Sequence, residues 1–255
     1  MSRGRLLIAT AIIAATCGIL LQRDRVVRFA WEYLRQPLPA LALRPADSHL
    51  YAEIGGYYFS DAAYDLSRAK TFYSRAIRAD SALPRVHYQL ARIYFLTGDL
   101  QEAEAAADGE IALDSAFPKS YYMRGLIRGY RGDLVGAAED FREYLRHDKR
   151  NWAAYNDLSW VHFQAGDYDK ARQAAEMGLV FAGNNPWLLN SQGIALLNLD
   201  ERERARKSFA LALMYTKELT PEAWGAAYPG NDPAVYAAGL EAMKQSVREN
   251  LLRAQ

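Results

Sequence analysis

Ala69, Ala103, Ala137, Ala171 and Ala205 are separated by 34 residues each. Two further columns keep that interval. One is acidic, at Asp65, Asp99, Asp133, Asp167 and Glu201, and the other aliphatic, at Ile77, Ile111, Leu145, Leu179 and Leu213. A single column can arise by chance, but three in fixed phase over five periods define a tandem array across residues 50–219. A repeat of this length is one supersecondary unit that cannot bury its apolar face alone and does so by stacking on its neighbours. Such an array offers an extended surface, so its expected purpose is to hold something rather than to transform it.

Within residues 84–117, Val86, Leu90, Ile93 and Leu96 make one apolar stripe at helical spacing. Ala103, Ala107, Ile111 and Leu113 make a second, with Gly98 and Asp99 between the two. Each unit is therefore predicted to be a helical hairpin. Pro84, Pro118 and Pro186 open their units, where a missing N–H costs nothing because the first helical donors are unpaired in any case. Gly98, Gly132 and Gly166 fall where the first helix stops and supply the positive φ of a C-terminal cap. The acid after each glycine is placed to cap the second helix or to favour its N-terminus electrostatically. The alanine column marks a crossing at which only a methyl group fits between two helices.

This unit resembles the tetratricopeptide repeat, whose motif has a small residue eighth, Gly near fifteenth, Ala twentieth, an aromatic twenty-fourth and an acid near thirty-first. The eighth positions here are Ala91, Gly125, Ser159 and Gly193. Tyr73, Phe141 and Phe209 stand twenty-fourth, and Asp80, Asp114 and Asp148 thirty-first. Residues 121–125 and 165–171 are similar to the family throughout. The departures are Glu110, Tyr144 and Gly178 at position twenty-seven, where the family usually has Ala, and Tyr57 and Tyr64 in place of the small eighth residue and the turn glycine. The last two mark residues 50–83 as a degenerate unit. The resemblance implies an all-α, right-handed α-solenoid of tandem helix-turn-helix repeats, divided into 50–83, 84–117, 118–151, 152–185 and 186–219.

Residues 220–255 read as a C-terminal capping helix. Asp232 can cap a helix that Pro233 opens after Pro229, and Tyr236, Leu240, Met243, Val247 and Leu251 form one stripe. A docking helix for a partner fits the same stripe. At the other end, residues 1–25 form a transmembrane or signal-anchor helix: Arg3 and Arg5 precede 16 residues, 6–21, whose only polar side chains are Thr10 and Thr16. At 1.5 Å per residue the run reaches roughly 24 Å, which serves a hydrocarbon core of about 30 Å if the flanking arginines snorkel. The small residues of a cleavage site are missing after the run, which favours an anchor that is not cut. Arginines on both sides leave the side of the membrane open. In residues 26–49, Val26, Ala30 and Leu34 with Trp31 fit either an amphipathic juxtamembrane helix or a connector, and Pro37, Pro39 and Pro45 make a stiff linker.

Composition narrows the function further. Apolar and charged fractions of 51% and 24% are those of a globular protein, and a formal net charge of +1 offers no basic stripe for phosphates, so no nucleic-acid partner is expected. The only cysteine, Cys17, lies in the apolar run and leaves the rest of the chain without a disulfide or a thiolate metal site. His49, His87, His147 and His162 form no i, i+4 pair and no zinc-protease motif, and no nucleophile elbow or phosphate-binding glycine loop occurs. No catalytic residue, metal site, cofactor or small-molecule substrate is expected. Arg131-Gly132-Asp133 spells an adhesion tripeptide, but the repeat turn itself requires the Gly-Asp pair.

What remains is the inner face. In proteins this chain resembles, positions 2, 5, 9, 12 and 13 of the first helices line a concave groove. The resemblance thereby points to Arg85, Tyr88, Arg92, Phe95, Lys119, Tyr122, Tyr130, Asn156, Trp160, Phe163, Trp187 and Asn190. Rings and arginines of this kind supply the large desolvated contacts of recognition surfaces. The carboxylate clamp of one subgroup is absent, since its five sites hold Tyr88, Arg92, Met123, Ala153 and Asp157. The expectation is a single-pass membrane scaffold of bacterial inner-membrane type that binds a protein or peptide in its groove. The alternative is an accessory or regulatory subunit of an envelope-synthesis or assembly complex, docked through the convex face or the C-terminal helix.

Overall fold

A computed structural model describes residues 23–33, 40–42, 44–227 and 230–255. The apolar run 6–21, Cys17, Pro37, Pro39 and Pro229 lie outside the described residues. Among the described residues there is no strand, and no helix is long and apolar enough to cross a membrane. Helix α1 (Arg23–Arg28) runs into a π-helical turn, Phe29–Tyr33. Hairpins follow: α2 (Ser48–Tyr58) with α3 (Leu66–Ala79), α4 (Val86–Thr97) with α5 (Leu100–Leu113), and α6 (Pro118–Arg131) with α7 (Leu134–His147). Next come α8 (Trp152–Gln164) with α9 (Tyr168–Phe181), and α10 (Pro186–Asn198) with α11 (Arg202–Thr216). The chain ends in α12 (Pro221–Ala226) and, after a 3-10 turn at Pro233–Val235, α13 (Tyr236–Arg253).

From α2 to α11 each helix packs on the next along the chain, α11 and α12 both pack on α13, and α4 also touches α6, α6 touches α8, and α8 touches α10. The second helices of successive hairpins make no comparable contact. The array therefore curves with its first helices inside. All five column alanines are at 0% exposure. Across each crossing, residue sizes are complementary: a Cβ at Gly125 would lie 3.1 Å from the Phe141 ring and one at Gly193 2.5 Å from Phe209. Where Ala107 or Ala175 stands in place of the ring, Ala91 or Ser159 fills the facing site, and the Ser159 hydroxyl donates to the Ala171 carbonyl at 2.8 Å. In the first hairpin α2 ends early, and Gly55 rather than Tyr57 faces the Tyr73 ring, with a Cβ there 3.0 Å from it.

The turn position is left-handed in all five hairpins, with φ of 82° at Gly98, 90° at Gly132 and 76° at Gly166, but also 32° at Tyr64 and 60° at Asp200. Of the acids that follow, Asp65 and Asp133 accept from backbone N–H groups at 2.9 and 3.0 Å. Asp99, Asp167 and Glu201 instead accept from Thr97, Lys170 and Arg204, so toward their helices they act through charge alone. Pro118 and Pro186 occupy first-turn positions as expected. Pro84 does not. It precedes Arg85, which itself takes φ 72° as the N-cap of α4 and makes no side-chain cap. The cap comes from α5: the carboxylate of Glu110, at 0% exposure, accepts from the Arg85 N–H at 2.9 Å, the Tyr88 N–H at 3.2 Å and the Arg85 guanidinium at 3.1 Å. A buried charge with three such bonds is tolerated where an unpaired one would be expelled, which explains the departure at position twenty-seven of this unit.

Both ends of the array are covered. Val27, Ala30 and Trp31 are buried with Leu50 and Ile54 of α2, so this part of the chain docks its apolar side on the array. Val26 and Phe29 remain largely exposed. At the other end Val247 of α13 packs with Leu189 and Ala212, and Ala254 with Leu196, Ala205 and Phe209. Helix α13 thus takes the place of a sixth first helix.

Candidate functional site

The hairpin register brings Phe95, Tyr130 and Trp160 from α4, α6 and α8 into one aromatic ladder, with ring centroids 5.3 and 5.1 Å apart. Gly129 makes the last step possible, since a Cβ there would sit 2.6 Å from the indole. Tyr130 is nevertheless 63% exposed. A large ring held in place by two others but open to solvent carries little ordering cost when it meets a partner.

Other candidates are committed to the scaffold. Arg85 pairs with Glu110 and Asp114 and lies 3.7 Å over the Phe117 ring, so it belongs to the cap of α4 rather than to a free groove surface. Tyr88 meets the edge of Phe117 at 5.2 Å, and Phe163 packs on Tyr168 at 5.7 Å. Arg92 donates to Gln89 at 2.8 Å and covers the Phe59 ring at 4.5 Å. Trp187 pairs with Trp152 at 5.2 Å. Lys119 is exposed.

A polar ladder runs beside the rings, each rung joining one first helix to the next. Tyr122 donates to Asp157, Ser191 donates to the Asn156 carbonyl oxygen at 2.8 Å, and Asn250 donates to Asn190 at 3.1 Å. Asn156 also donates to Asp157 at 3.4 Å. Burial raises the Asp157 carboxyl to about 6, against the lowering effect of the Tyr122 and Asn156 bonds. Burial, then the Asp157 charge, hold the Tyr122 hydroxyl well above its usual value, so it remains a donor.

The groove's far half has a wall that register did not reveal. Asn156, Trp187, Asn190 and Ser191 face Trp224, Gly239, Met243 and Ser246 of the C-terminal segment around a cavity of about 320 Å³. Helices α12 and α13 interlock by setting rings on glycines: a Cβ at Gly239 would be 2.3 Å from the Trp224 indole, and one at Gly225 2.3 Å from the Tyr236 ring. Helix α12 lacked any periodic signal, being only six residues long. The two glycines inside helical stretches were the available hint of a close approach.

Elsewhere a network of charged groups is absorbed by structure. Arg124 bonds Asp140 and Asp108, Arg128 bonds Glu104 and Asp140, and Arg131 bonds Glu104, tying α6 to α5 and α7. The His162 ring is buried, 3.1 Å from the Arg142 guanidinium, and burial followed by that charge lowers its pKa. Among the described residues no cluster of His, Cys, Asp or Glu is placed to hold a metal ion.

These features define a class, the helical-hairpin solenoid with a ring-lined inner face. Residues 122–186 match a family model described as tetratricopeptide repeat, and residues 84–108 match a second of the same description. With the structural neighbours, those matches support placing the chain among tetratricopeptide-repeat proteins, and neither is to a catalytic family. The fold is similar to that of the MamA protein, with a TM-score of 0.60 at 22% identity over 67% of this chain and 92% of that one. YrrB, described as a tetratricopeptide-repeat protein with an unusual peptide-binding site, gives 0.59 at 16% identity over 70% and 91%. A tetratricopeptide repeat protein from Parabacteroides merdae gives 0.63 at 14% identity over 92% and 99%. No curated protein sequence matches the chain.

Proposed function

We propose that this protein is a membrane-tethered scaffold that binds a protein or peptide partner on its inner face. The observation that carries the reading is the Phe95–Tyr130–Trp160 ladder, which leaves Tyr130 63% exposed in the middle of a curved array. A buried ring would be core, whereas a braced and exposed one is a contact waiting for a surface. The peptide-binding site attributed to YrrB, on the same fold, supports the same use. The tether is the apolar run 6–21 with its arginine flanks, acting as a single-pass anchor of bacterial inner-membrane type.

The test is affinity capture with the detergent-solubilised full chain. Wild type should retain a protein that Tyr130→Ala plus Trp160→Ala loses by at least about tenfold, the scale of a recognition hot spot. Identical capture by both would reject the inner face. A reporter fused after residue 255, together with resistance to alkaline extraction, tests the anchor and fixes the side on which the array lies.

A second reading is favoured by apolar side chains on the outer helices. Met177 and Val180 of α9 are 49% and 73% exposed, and Leu211 and Met214 of α11 are 43% and 46% exposed. These would dock an accessory subunit onto an envelope-synthesis or assembly complex. Capture lost in Val180→Asp plus Met214→Asp, and kept in the ladder variant, selects this reading.

A further inference from the structure

The C-terminal segment builds a fixed wall against the far half of the array. Trp224 of α12 lies on Gly239 of α13, where a Cβ would be 2.3 Å from the indole, and α13 is held on the last hairpin by Leu240 and Val247 at 3% and 0% exposure. Facing that wall, Trp187 of α10 is braced by Trp152, with ring centroids 5.2 Å apart. The cavity of about 320 Å³ that the two indoles line is therefore preformed, and a group entering it meets rings that are already ordered. Its volume is at the lower end for small-ligand sites, which run from about 300 to 1,000 Å³, so it suits one side chain rather than a long ligand.

The lining narrows the choice of side chain. Among the described residues no charged side chain lines the cavity, so a charged group would enter it without a counter-charge. Trp187, Trp224 and Met243 supply apolar surface. Much of the polar capacity is already in use: Asn156 accepts from Ser191 at 2.8 Å and donates to Asp157 at 3.4 Å, and Asn190 accepts from Asn250 at 3.1 Å. The Asn190 amide nitrogen and the Ser246 hydroxyl bond none of the described residues. Two such handles match a single polar tip, whereas a ligand carrying many hydroxyls would leave most of them unpaired. The cavity also adjoins the aromatic ladder, because Asn156 stands one helical turn, about 6 Å, before Trp160 on α8.

We infer that this cavity is a second anchor point of the inner face and takes a tyrosine side chain of the bound peptide. The inference rests on the reading of that face as a peptide site and adds the residue it selects. The phenol ring meets the two indoles and Met243, and its hydroxyl accepts from the Asn190 amide and bonds the Ser246 hydroxyl. The turn of α8 and the 5.1 Å between the Trp160 and Tyr130 rings set this tyrosine about three extended residues, at about 3.3 Å each, from the residue that covers Tyr130.

The test is fluorine NMR of the full chain in detergent, labelled with 5-fluorotryptophan and titrated with N-acetyl-tyrosine amide or N-acetyl-phenylalanine amide. Trp187→Phe and Trp224→Phe assign the two signals that matter. In wild type both should shift saturably, and the tyrosine amide should bind at least about tenfold more tightly than the phenylalanine amide, since a phenyl ring leaves the two polar handles unpaired. Ser246→Phe, at an exposed position on the rim, should abolish the shifts without lowering Tm, and Asn190→Ala should erase the preference for tyrosine. No saturable shift at Trp187 and Trp224, equal binding of the two amides by wild type, or binding that survives Ser246→Phe overturns the assignment. Saturation by methyl glucoside in place of the amides overturns it as well. The capture test turns on Tyr130 and Trp160, which none of these variants alters, so each test can fail without the other.

Discussion

At the scale of single residues, Asp157 carries the clearest signature of its surroundings. Its carboxyl is raised to about 6 by burial, while an unfolded chain would hold it near 4. Between those values the folded protein binds a proton that the unfolded chain does not, so this group adds stability as pH falls from 7 to 4 and withdraws it as pH rises. His162, kept neutral by burial, acts in the opposite sense below its usual value. Asp157→Asn removes the first effect and leaves the second, and the Tyr122 hydroxyl can still donate to the amide oxygen. The variant should therefore gain on wild type by about 3 °C more in Tm at pH 7 than at pH 5. Melting curves whose difference does not change between those pH values would reject the assignment. Little of this was legible in the sequence. Register placed Asp157 on a first helix, but its partner Tyr122 lies one helix away and its burial is a property of the stack. Glu110 was legible as an oddity and no more, because the N–H groups it caps, Arg85 and Tyr88, lie at the start of α4, more than twenty residues earlier in the chain.

At the scale of elements, the hairpin turn is the unit that repeats most strictly. Its left-handed position was readable at Gly98, Gly132 and Gly166 because glycine advertises positive φ; it was hidden at Tyr64 and Asp200, where the array imposes the same conformation on residues that resist it. A non-glycine residue there costs about 1 kcal/mol or more. Asp200 has little to set against that cost, since the ion pair it makes to Arg202 at 3.4 Å is exposed. Asp200→Gly should raise stability by about 0.5–1 kcal/mol, after allowing for the greater freedom of glycine in the unfolded chain. A shift of the urea midpoint to higher concentration checks it; a lower midpoint would mean that the aspartate is held by something else. The first hairpin shows the limit of reading by period. Counting by 34 put Tyr57 against the second helix, whereas the shorter α2 puts Gly55 there, because ring and glycine must match across the crossing whatever the count says.

At the scale of the whole molecule, the array is finite by construction. Uncovered, the end faces of a solenoid are apolar and self-complementary from head to tail, a geometry that propagates into filaments. Here Val27 and Trp31 close one face and Val247 and Ala254 the other. Val27→Asp plus Trp31→Ala should produce concentration-dependent oligomers, absent from wild type, in sedimentation velocity of the detergent-solubilised chain; unchanged sedimentation would show that the end face needs no cover. The Tyr64–Gly230 bond adds a mechanical consequence. A stack that touches only its nearest neighbours behaves as a spring, compliant along its axis. A cross-tie between its first turn and its C-terminal segment converts the spring into a closed frame, in which extending the coil must first break the tie. Pulled at its two ends, the array would then resist extension until the tie gives way, and only after that yield as a spring does.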